Sequence, residues 1–279
     1  TGSSSNQANP GFILSEPTTT QNHGSAFLFN LIYSGNHYSA IQRTPFDLCR
    51  LMMGINPQSF QWTLHPADSF ETPEVMMAYS DHGYNGVSQA SHHFINNHII
   101  PLAFQMKARP IVYNNWEATF FKFNEAKLLN LAKQAKQLGA EVFVLDDGWF
   151  ANRNDDRHGL GDYHVNPKKF PAGLAHFALA LNKIGLDFGL WIEPESVNPD
   201  SQLYRDHPEY ALHVPGRVPT LGRNQLILDL CNPDVRDYIV TQITDLLESV
   251  PIKFIKWDMN RHISDAYSQT LSAPGEFYH

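Results

Sequence analysis

From residue 109 to residue 261, short apolar runs that end in polar or charged residues alternate with stretches whose apolar residues recur at helical spacing. The five runs lie at residues 110–115, 141–147, 186–193, 225–230 and 252–257. Strands that alternate with helices pack as right-handed βαβ units, which places the strands parallel in one sheet. The pattern therefore predicts an α/β fold, either a doubly wound open sheet or a (β/α)8 barrel.

The polar endings of all five runs favour the barrel. In barrels the carboxyl ends of every strand contribute to the site, whereas open sheets bind ligands at one switch point. No G-x-G-x-x-G or P-loop sequence follows the first run, and Gly159-Leu160-Gly161 lacks the third glycine and the helix that a dinucleotide site needs. We expect an incomplete (β/α)8 TIM barrel of about five βα units, and hence a piece of a longer chain.

The helical stretches carry their own boundary signals. Asn124 and the pair Asn232-Pro233 are typical of helix starts, because a side-chain oxygen there accepts an unpaired amide and proline suits the first turn. Gly139 and Gly185 are typical of the residue just after a helix, where left-handed backbone is common.

Residues 26 to about 100 have a different character. Short apolar segments with aromatic or branched residues are separated by Gly, Asn and Pro, which predicts part of a β-sandwich domain, and residues 89–104 then read as a helix. Residues 1–25 show no periodicity and read as an irregular lead-in. We therefore predict two domains: 1–103, the C-terminal part of a β-sandwich domain with a linker helix, and 104–279, a partial catalytic barrel.

Composition narrows the class of partner. The net charge of -8 argues against nucleic acid and against a membrane surface, and no apolar run reaches membrane-spanning length. Two cysteines and no signal-peptide pattern favour a cytoplasmic protein. His92, His93 and His98 lack a carboxylate or thiolate at ligand spacing, so we expect no metal and no cofactor.

Carboxylates, amides, cations and tryptophans collect at the predicted strand ends. Sugars suit such a set, since their C–H faces stack on indole rings and their hydroxyls bind charged and amide groups. The alternatives are structural: tryptophans that only close the barrel mouth, glutamates that bind loop amides, and Asp229 as a buried acid within its strand. The candidate residues are Asn114, Asn115, Trp116, Glu117, Asp146, Asp147, Trp149, Trp191, Glu193, Glu195, Arg223, Asn224, Asp229, Lys256, Asp258, Asn260 and Arg261.

Of the five runs, residues 252–261 end in the densest cluster of charged and polar residues. Asp258 is our candidate carboxylate nucleophile, and Lys256 shares its face of the strand two residues earlier. A nearby positive charge favours the ionised carboxylate that a nucleophile requires. The alternative is that these residues form an ordinary strand end with a solvent-exposed salt bridge and no catalytic role.

Four motifs in this order resemble the α-galactosidases of glycoside hydrolase family 36. The resemblance extends through residues 160–171, 222–230 and 52–60, so it covers most of the chain from about residue 30. The four motifs are NNWEAT at 114–119, LDDGWF at 145–150, GLWIEPE at 189–195 and KWDMNR at 256–261.

The resemblance implies a β-sandwich domain, a catalytic barrel and a small C-terminal β domain. It implies that Asp258 is the nucleophile of a retaining enzyme and that its acid/base is an Asp on a later strand, outside these 279 residues, so that this piece alone would be inactive. The residues that match sugar-binding positions of the family are Trp116, Asp146, Asp147, Trp191, Arg223, Lys256 and Asn260.

The resemblance also implies the reaction and the partners. The expected function is hydrolysis of terminal α-galactosyl residues from melibiose and raffinose through a covalent galactosyl-enzyme, in a homo-oligomer, a tetramer by family resemblance. Two alternatives share the motifs: an α-galactosyl transferase of the raffinose-synthase type, and a carbohydrate-binding relative whose catalytic site has decayed.

Overall fold

Four parallel strands form the main sheet of the computed structural model, which describes residues 4–278. The strands are β6 (Val112–Asn114), β7 (Val142–Leu145), β8 (Asp187–Ile192) and β11 (Ile252–Trp257). The sheet order is β6-β7-β8-β11, and the register places Asn114 opposite Val144, Leu145 opposite Leu190 and Trp257 opposite Ile192. The carboxyl ends of all four strands therefore meet at one edge.

Helices connect these strands, and the predicted boundary signals at Asn124, Asn232 and Gly185 are confirmed. The Asn124 side chain accepts from the Lys127 amide at one helix start, and Asn232 accepts from the Asp234 amide at another. Gly185 ends a third helix in left-handed backbone. The helices are α3 (Trp116–Thr119), α4 (Glu125–Gln137), α5 (Gly173–Ile184), α6 (Gln202–Asp206) and α7 (Pro233–Ser249), with a 3₁₀ turn at Pro208–Tyr210.

The core of this unit lies between the sheet and helices α4 and α5. Phe143, Phe188 and Leu190 from the strands are fully buried, as are Leu128 of α4 and Phe177 of α5. Burying each such side chain stabilises the fold by about 1.5–3 kcal/mol. The predicted partial (β/α)8 barrel is confirmed, since the parallel strands alternate with helices that cover one face.

One predicted barrel strand is wrong. Residues 225–230 contain only the short strand β10 (Leu226–Ile227), which pairs antiparallel with β9 (Ser196–Val197) outside the parallel sheet. Strand β11 pairs directly with β8, so the described residues hold four barrel strands and not five. An apolar run of six residues does not reveal which sheet its strand joins. A segment between barrel strands that fills its own small core has the same apolar pattern as a barrel strand.

A second compact unit comprises the residues up to Ala108 and those from Ser272 onward, whereas the barrel unit is Arg109–Leu271. The strands of the former are β1 (Gly11–Ser15), β2 (Ala26–Leu31), β3 (His37–Arg43), β4 (Cys49–Ile55) and β5 (Val75–Ser80). They form an antiparallel sheet of order β1-β2-β5 and a separate hairpin of β3 and β4. Its helical segments are α1 (Gly83–Phe94), a π-helical turn at Ile95–Ile99, α2 (Leu102–Gln105) and a 3₁₀ turn at Pro274–Tyr278.

The irregular lead-in predicted for residues 1–25 is wrong for Gly11–Ser15, which pairs along its whole length with β2. Residues 1–3 lie outside the described part. The predicted helix at 89–104 is confirmed in part: α1 ends at Phe94, a π-helical turn follows to Ile99, and Ile100 is extended before α2 begins at Leu102. The chain also becomes helical earlier, at Gly83. The predicted domain division at residues 103 and 104 stays a prediction. Across residues 4–278, no helix has both the length and the apolar character needed to cross a bilayer.

Candidate active site

Asp258 follows β11 directly and extends its parallel ladder, because its amide donates to the Ile192 carbonyl at 2.9 Å. Its carboxylate Oδ2 accepts two hydrogen bonds, from Trp191 Nε1 at 3.0 Å and from Asn260 Nδ2 at 2.8 Å. Two neighbouring strand ends therefore fix this side chain at the carboxyl edge of the sheet.

The surroundings of Asp258 keep its carboxylate ionised. Partial burial acts to raise its pKa, but the hydrogen bonds from Trp191 and Asn260 and the charges of Lys256 and Arg223 outweigh burial, so the pKa lies below its usual value. An anion at neutral pH is what nucleophilic attack by a carboxylate requires.

Lys256 forms an ion pair with Asp146 across the strand ends. Its Nζ lies 2.7 Å from Asp146 Oδ2, and the aspartate is almost fully buried while the lysine side chain is 38% exposed. Asn114 Nδ2 donates to the same oxygen at 2.5 Å, and Asn115 Oδ1 accepts from the Asp146 amide at 2.8 Å. The ends of β6, β7 and β11 are thus joined by charged hydrogen bonds.

Asp147 takes a different environment from its neighbour. Both of its oxygens accept from Arg153, with Nε at 2.9 Å from Oδ1 and Nη2 at 2.8 Å from Oδ2, and both side chains are buried. Burial raises the pKa of Asp147 despite the lowering effect of this guanidinium. Arg153 Nη1 also donates to Asn198 Oδ1 at 2.8 Å. The sequence predicted Asp147 as a sugar ligand, and the structure places its carboxylate in a buried ion pair.

Lys169 anchors the loop that carries Arg153. Its ammonium donates to the carbonyls of Gly148 at 2.7 Å, Phe121 at 3.1 Å and Arg153 at 3.2 Å. Burial lowers its pKa to about 8. The sequence did not single out Lys169 or Arg153 as site residues, because their partners lie in other segments of the chain.

Two buried glutamates accept hydrogen bonds from residues that lie on either side of Asp258 in the sequence. Glu193 is fully buried and accepts from the Asn260 amide and from Asn260 Nδ2, both at 3.1 Å. Glu195 Oε2 accepts from Trp257 Nε1 at 2.8 Å. Burial raises the pKa of Glu193, and it raises the pKa of Glu195 to about 7.

The three candidate tryptophans differ in exposure. Trp191 is 2% exposed and Trp149 is fully buried, with Trp149 Nε1 donating to the Trp191 carbonyl at 3.0 Å. Trp116 is half-buried and packs edge-on against Phe120 and Phe121, with ring centroids 5.3 and 5.0 Å apart. Trp191 therefore acts on this site through its indole N–H, while Trp116 keeps ring surface open to solvent.

Arg223 reaches the cluster from the excursion between β8 and α7. Its Nη1 donates to Asn260 Oδ1, so a continuous chain of hydrogen bonds runs from Arg223 through Asn260 and Asp258 to Trp191. This series of hydrogen bonds and the Lys256–Asp146 ion pair lie together, since Lys256 and Asp258 stand two residues apart at the end of β11. Asp147 instead pairs with Arg153, and the Trp116 backbone amide donates a hydrogen bond to Asn114 Oδ1. Among residues 4–278, no group of three or more His, Cys, Asp or Glu side chains is placed to hold a metal ion.

Carboxylates gathered at the carboxyl ends of parallel barrel strands are what a glycoside hydrolase barrel requires. A Melibiase family model matches residues 69–276, and the model of the glycosyl hydrolase family 36 N-terminal domain matches residues 1–65. The chain belongs to glycoside hydrolase family 36, as its motifs predicted.

Relatives cover the whole chain but are much longer. Alpha-galactosidase 1 of Pediococcus pentosaceus is 51% identical over 280 residues, which is 100% of this chain and 38% of the relative. The crystal structure of α-galactosidase AgaB from Geobacillus stearothermophilus superposes with a TM-score of 0.95 at 48% identity, over 99% of this chain and 39% of that chain. Variants of AgaA from the same organism, 47% identical with TM-scores of 0.95 over the same shares, were solved with stachyose and with raffinose.

Proposed function

We propose that the protein carrying this chain is a retaining α-galactosidase that hydrolyses melibiose and raffinose through a covalent galactosyl-enzyme on Asp258. The observation that carries the proposal is the Asp258 carboxylate, held by Trp191 and Asn260 at a barrel strand end with its pKa lowered. The names of the relatives and the stachyose and raffinose complexes of AgaA support the sugar.

In the first step, an Asp258 oxygen attacks the anomeric carbon while the bond to the leaving sugar breaks. Both hydrogen bonds go to Oδ2, so we assign the attack to Oδ1. A second carboxylic acid, which in retaining enzymes lies about 5–5.5 Å away, protonates the departing oxygen. Water then attacks the ester, the same group takes the proton from that water, and galactose leaves with its original α configuration.

The neighbouring groups supply recognition in this proposal. Asp146, poised by Lys256 and Asn114, offers a carboxylate to vicinal hydroxyls, and charge-assisted hydrogen bonds of this kind are the strong ones. Arg223 donates to further hydroxyls in this proposal, and Asn260, whose Nδ2 hydrogens go to Glu193 and Asp258, holds Arg223 and Asp258 in place. The open face of Trp116 packs against the sugar C–H groups, and Trp191 contributes mainly by holding Asp258. Asp147 contributes through the Arg153 pair that fixes it beside Asp146.

The test uses the complete gene product with raffinose, followed by proton NMR. Retention predicts that α-galactose appears first and then equilibrates to the β anomer; β-galactose as the first product contradicts the proposal. Asp258→Asn should lower kcat by about 10⁴-fold or more, the scale of losing a covalent nucleophile. The matched control is Asp187→Asn, an exposed aspartate at the other end of a barrel strand, which should leave kcat unchanged.

The same assay separates the alternatives. Galactose transferred to an added sugar acceptor in place of water would indicate the raffinose-synthase type of transferase. Binding of raffinose without turnover by a folded protein would indicate a binding relative. We further propose that the protein is cytoplasmic. We also propose that it assembles into a homo-oligomer, a tetramer by family resemblance, and light scattering measures the mass of that assembly directly.

A further inference from the structure

We propose that Arg261 is a positioning residue that holds the turn at residues 222–225, and that this turn presents Arg223 to the nucleophile cluster. The inference rests on the proposed function, since it assigns a role to the one charged residue of the KWDMNR motif that the mechanism above does not use. Arg261 contacts neither Asp258 nor Asn260 through its guanidinium and acts through Arg223.

The turn that carries Arg223 has an unfavourable backbone. Gly222 and Gln225 exchange amide-to-carbonyl hydrogen bonds of 3.1 and 2.9 Å, which closes a two-residue loop of Arg223 and Asn224. Both loop residues are left-handed, with φ of 51° and 60°. Such turns favour Asn-Gly, and arginine in this conformation costs free energy because its β-carbon crowds the backbone. Contacts from the surrounding chain must therefore hold the turn.

Arg261 supplies those contacts from one side. Its side chain is buried, and Nη1 donates to the Thr220 carbonyl at 3.0 Å and to the Gln225 carbonyl, on either side of the loop. Gly222 packs directly against it, since a β-carbon there would lie 3.3 Å from Arg261 Nε. A guanidinium suits this position because its planar fork binds several carbonyl oxygens in fixed directions.

Asn198 holds the turn from the other side. It is fully buried, and its Nδ2 donates to the Asn224 carbonyl at 2.7 Å. Its Oδ1 accepts from Arg153 Nη1, so the turn is also linked to the loop that fixes Asp147. The left-handed pair is thus clamped by two buried polar side chains from separate segments.

The position of this turn matters because Arg223 belongs to the series of hydrogen bonds that reaches Asp258. Arg223 donates to Asn260 Oδ1, and Asn260 Nδ2 donates to Asp258 Oδ2. The exposed Arg223 side chain has no buried anchor of its own within the described residues, so its direction depends on the turn beneath it. If Arg261 is lost, we expect Arg223 to leave Asn260, which removes a positive charge from the neighbourhood of Asp258.

A double-variant cycle in the complete protein tests this role. Using p-nitrophenyl α-galactoside, we expect Arg223→Ala and Arg261→Ala each to lower kcat/KM by about 10–100-fold, the scale of one lost charged hydrogen bond. The double variant should be no worse than Arg223→Ala alone, because Arg261 acts only through Arg223. In Arg261→Ala the acidic limb of kcat/KM should also move to higher pH. The control Arg217→Ala removes an exposed arginine of the same loop and should change neither quantity.

Fold changes that multiply in the double variant would overturn the proposal. If Arg261→Ala does not fold, Arg261→Lys replaces it in the experiment, because lysine keeps the positive charge but lacks the planar guanidinium that binds several carbonyl oxygens. Adding Asn224→Gly should then recover activity, since glycine tolerates left-handed backbone; no recovery counts against the role. A crystal structure of the Arg261 variant with the turn and the Arg223–Asn260 contact intact also overturns it, independently of turnover. An unmodified protein that hydrolyses no galactoside would instead refute the proposed function.

Discussion

Hydrogen bonds from Trp191 and Asn260 and the charges of Lys256 and Arg223 together keep Asp258 ionised, and Lys256 is the charged residue nearest to it along the strand. The Lys256 charge helps to lower the pKa of Asp258. In the proposed mechanism the carboxylate must be ionised to attack, so we expect activity to fall as pH drops through that pKa. Removing the lysine charge raises the pKa, and the loss should then begin at higher pH.

Lys256→Met should therefore shift the acidic limb of the kcat/KM profile upward by about one pH unit, the size of one neighbouring charge. The matched control is Lys253→Met, an exposed lysine on the same strand, which should leave the limb in place. An unshifted limb in Lys256→Met, with the protein folded, would contradict this electrostatic account.

Glu195 makes a pH-dependent contribution to stability. Burial raises its pKa from 4.5 to about 7, so between these two pH values the folded protein holds a proton on Glu195 that the unfolded chain has released. The stability from this group is complete below pH 4.5 and is lost as pH rises through 7. Glu195→Gln removes the titration and should make the protein more stable than the wild type at pH 8, by at most about 3 kcal/mol.

The measurement is the urea midpoint of both proteins at pH 5 and pH 8. We expect the advantage of Glu195→Gln to shrink at pH 5, where the wild-type side chain is mostly protonated. An equal difference at the two pH values would show that Glu195 does not titrate in this range.

The loop between β7 and α5 is tied to the sheet through the buried Arg153–Asp147 pair. Arg153→Met leaves the Asp147 carboxylate buried without its partner, which typically costs about 3–5 kcal/mol. Adding Asp147→Asn should recover part of this loss, because the neutral amide removes the uncompensated charge. Pulse proteolysis in urea measures the change.

The control for the loop is Arg157→Met, an exposed arginine four residues further along, which should cost less than about 0.5 kcal/mol. If Arg153→Met were as stable as this control, the ion pair would not anchor the loop.

The barrel elements were predictable because each strand lies in a short, largely apolar run that ends abruptly in polar residues. The runs at 110–115, 141–147, 186–193 and 252–257 all contain strands of the parallel sheet. The run at 225–230 failed since its apolar residues fill a separate small core around Val197 and Val235. Gly11–Ser15 was missed because an edge strand paired on one side needs little apolar periodicity.

The site was predictable only where its residues stand at strand ends. Asp258, Lys256 and Asp146 could be placed together because parallel strands end at one edge, although Lys256 and Asp146 are 110 residues apart. Arg153, Asn198 and Arg261 act through irregular loops, and no local pattern fixes where such loops meet. Their roles follow from tertiary contacts alone.

At the scale of the whole molecule, the candidate site exists only when the sheet is assembled. Its hydrogen-bonded groups come from residues 114 to 260, and the described barrel strands bring them to one edge through a parallel register. The chain spans about 38% of the length of Alpha-galactosidase 1 of Pediococcus pentosaceus, so the proposed activity is to be tested on the complete protein. In the proposed mechanism, Asp258 becomes covalently bonded to galactose in that protein.

The most direct measurement incubates the complete protein with a fluorinated galactosyl donor whose ester hydrolyses slowly, followed by digestion and mass spectrometry. We predict a galactosyl-sized mass increase on the peptide that contains Asp258, and none when Asp258 is replaced by Asn. A label on the peptide with Glu193 or Glu195, or steady galactoside hydrolysis with no labelled peptide, would contradict the assignment.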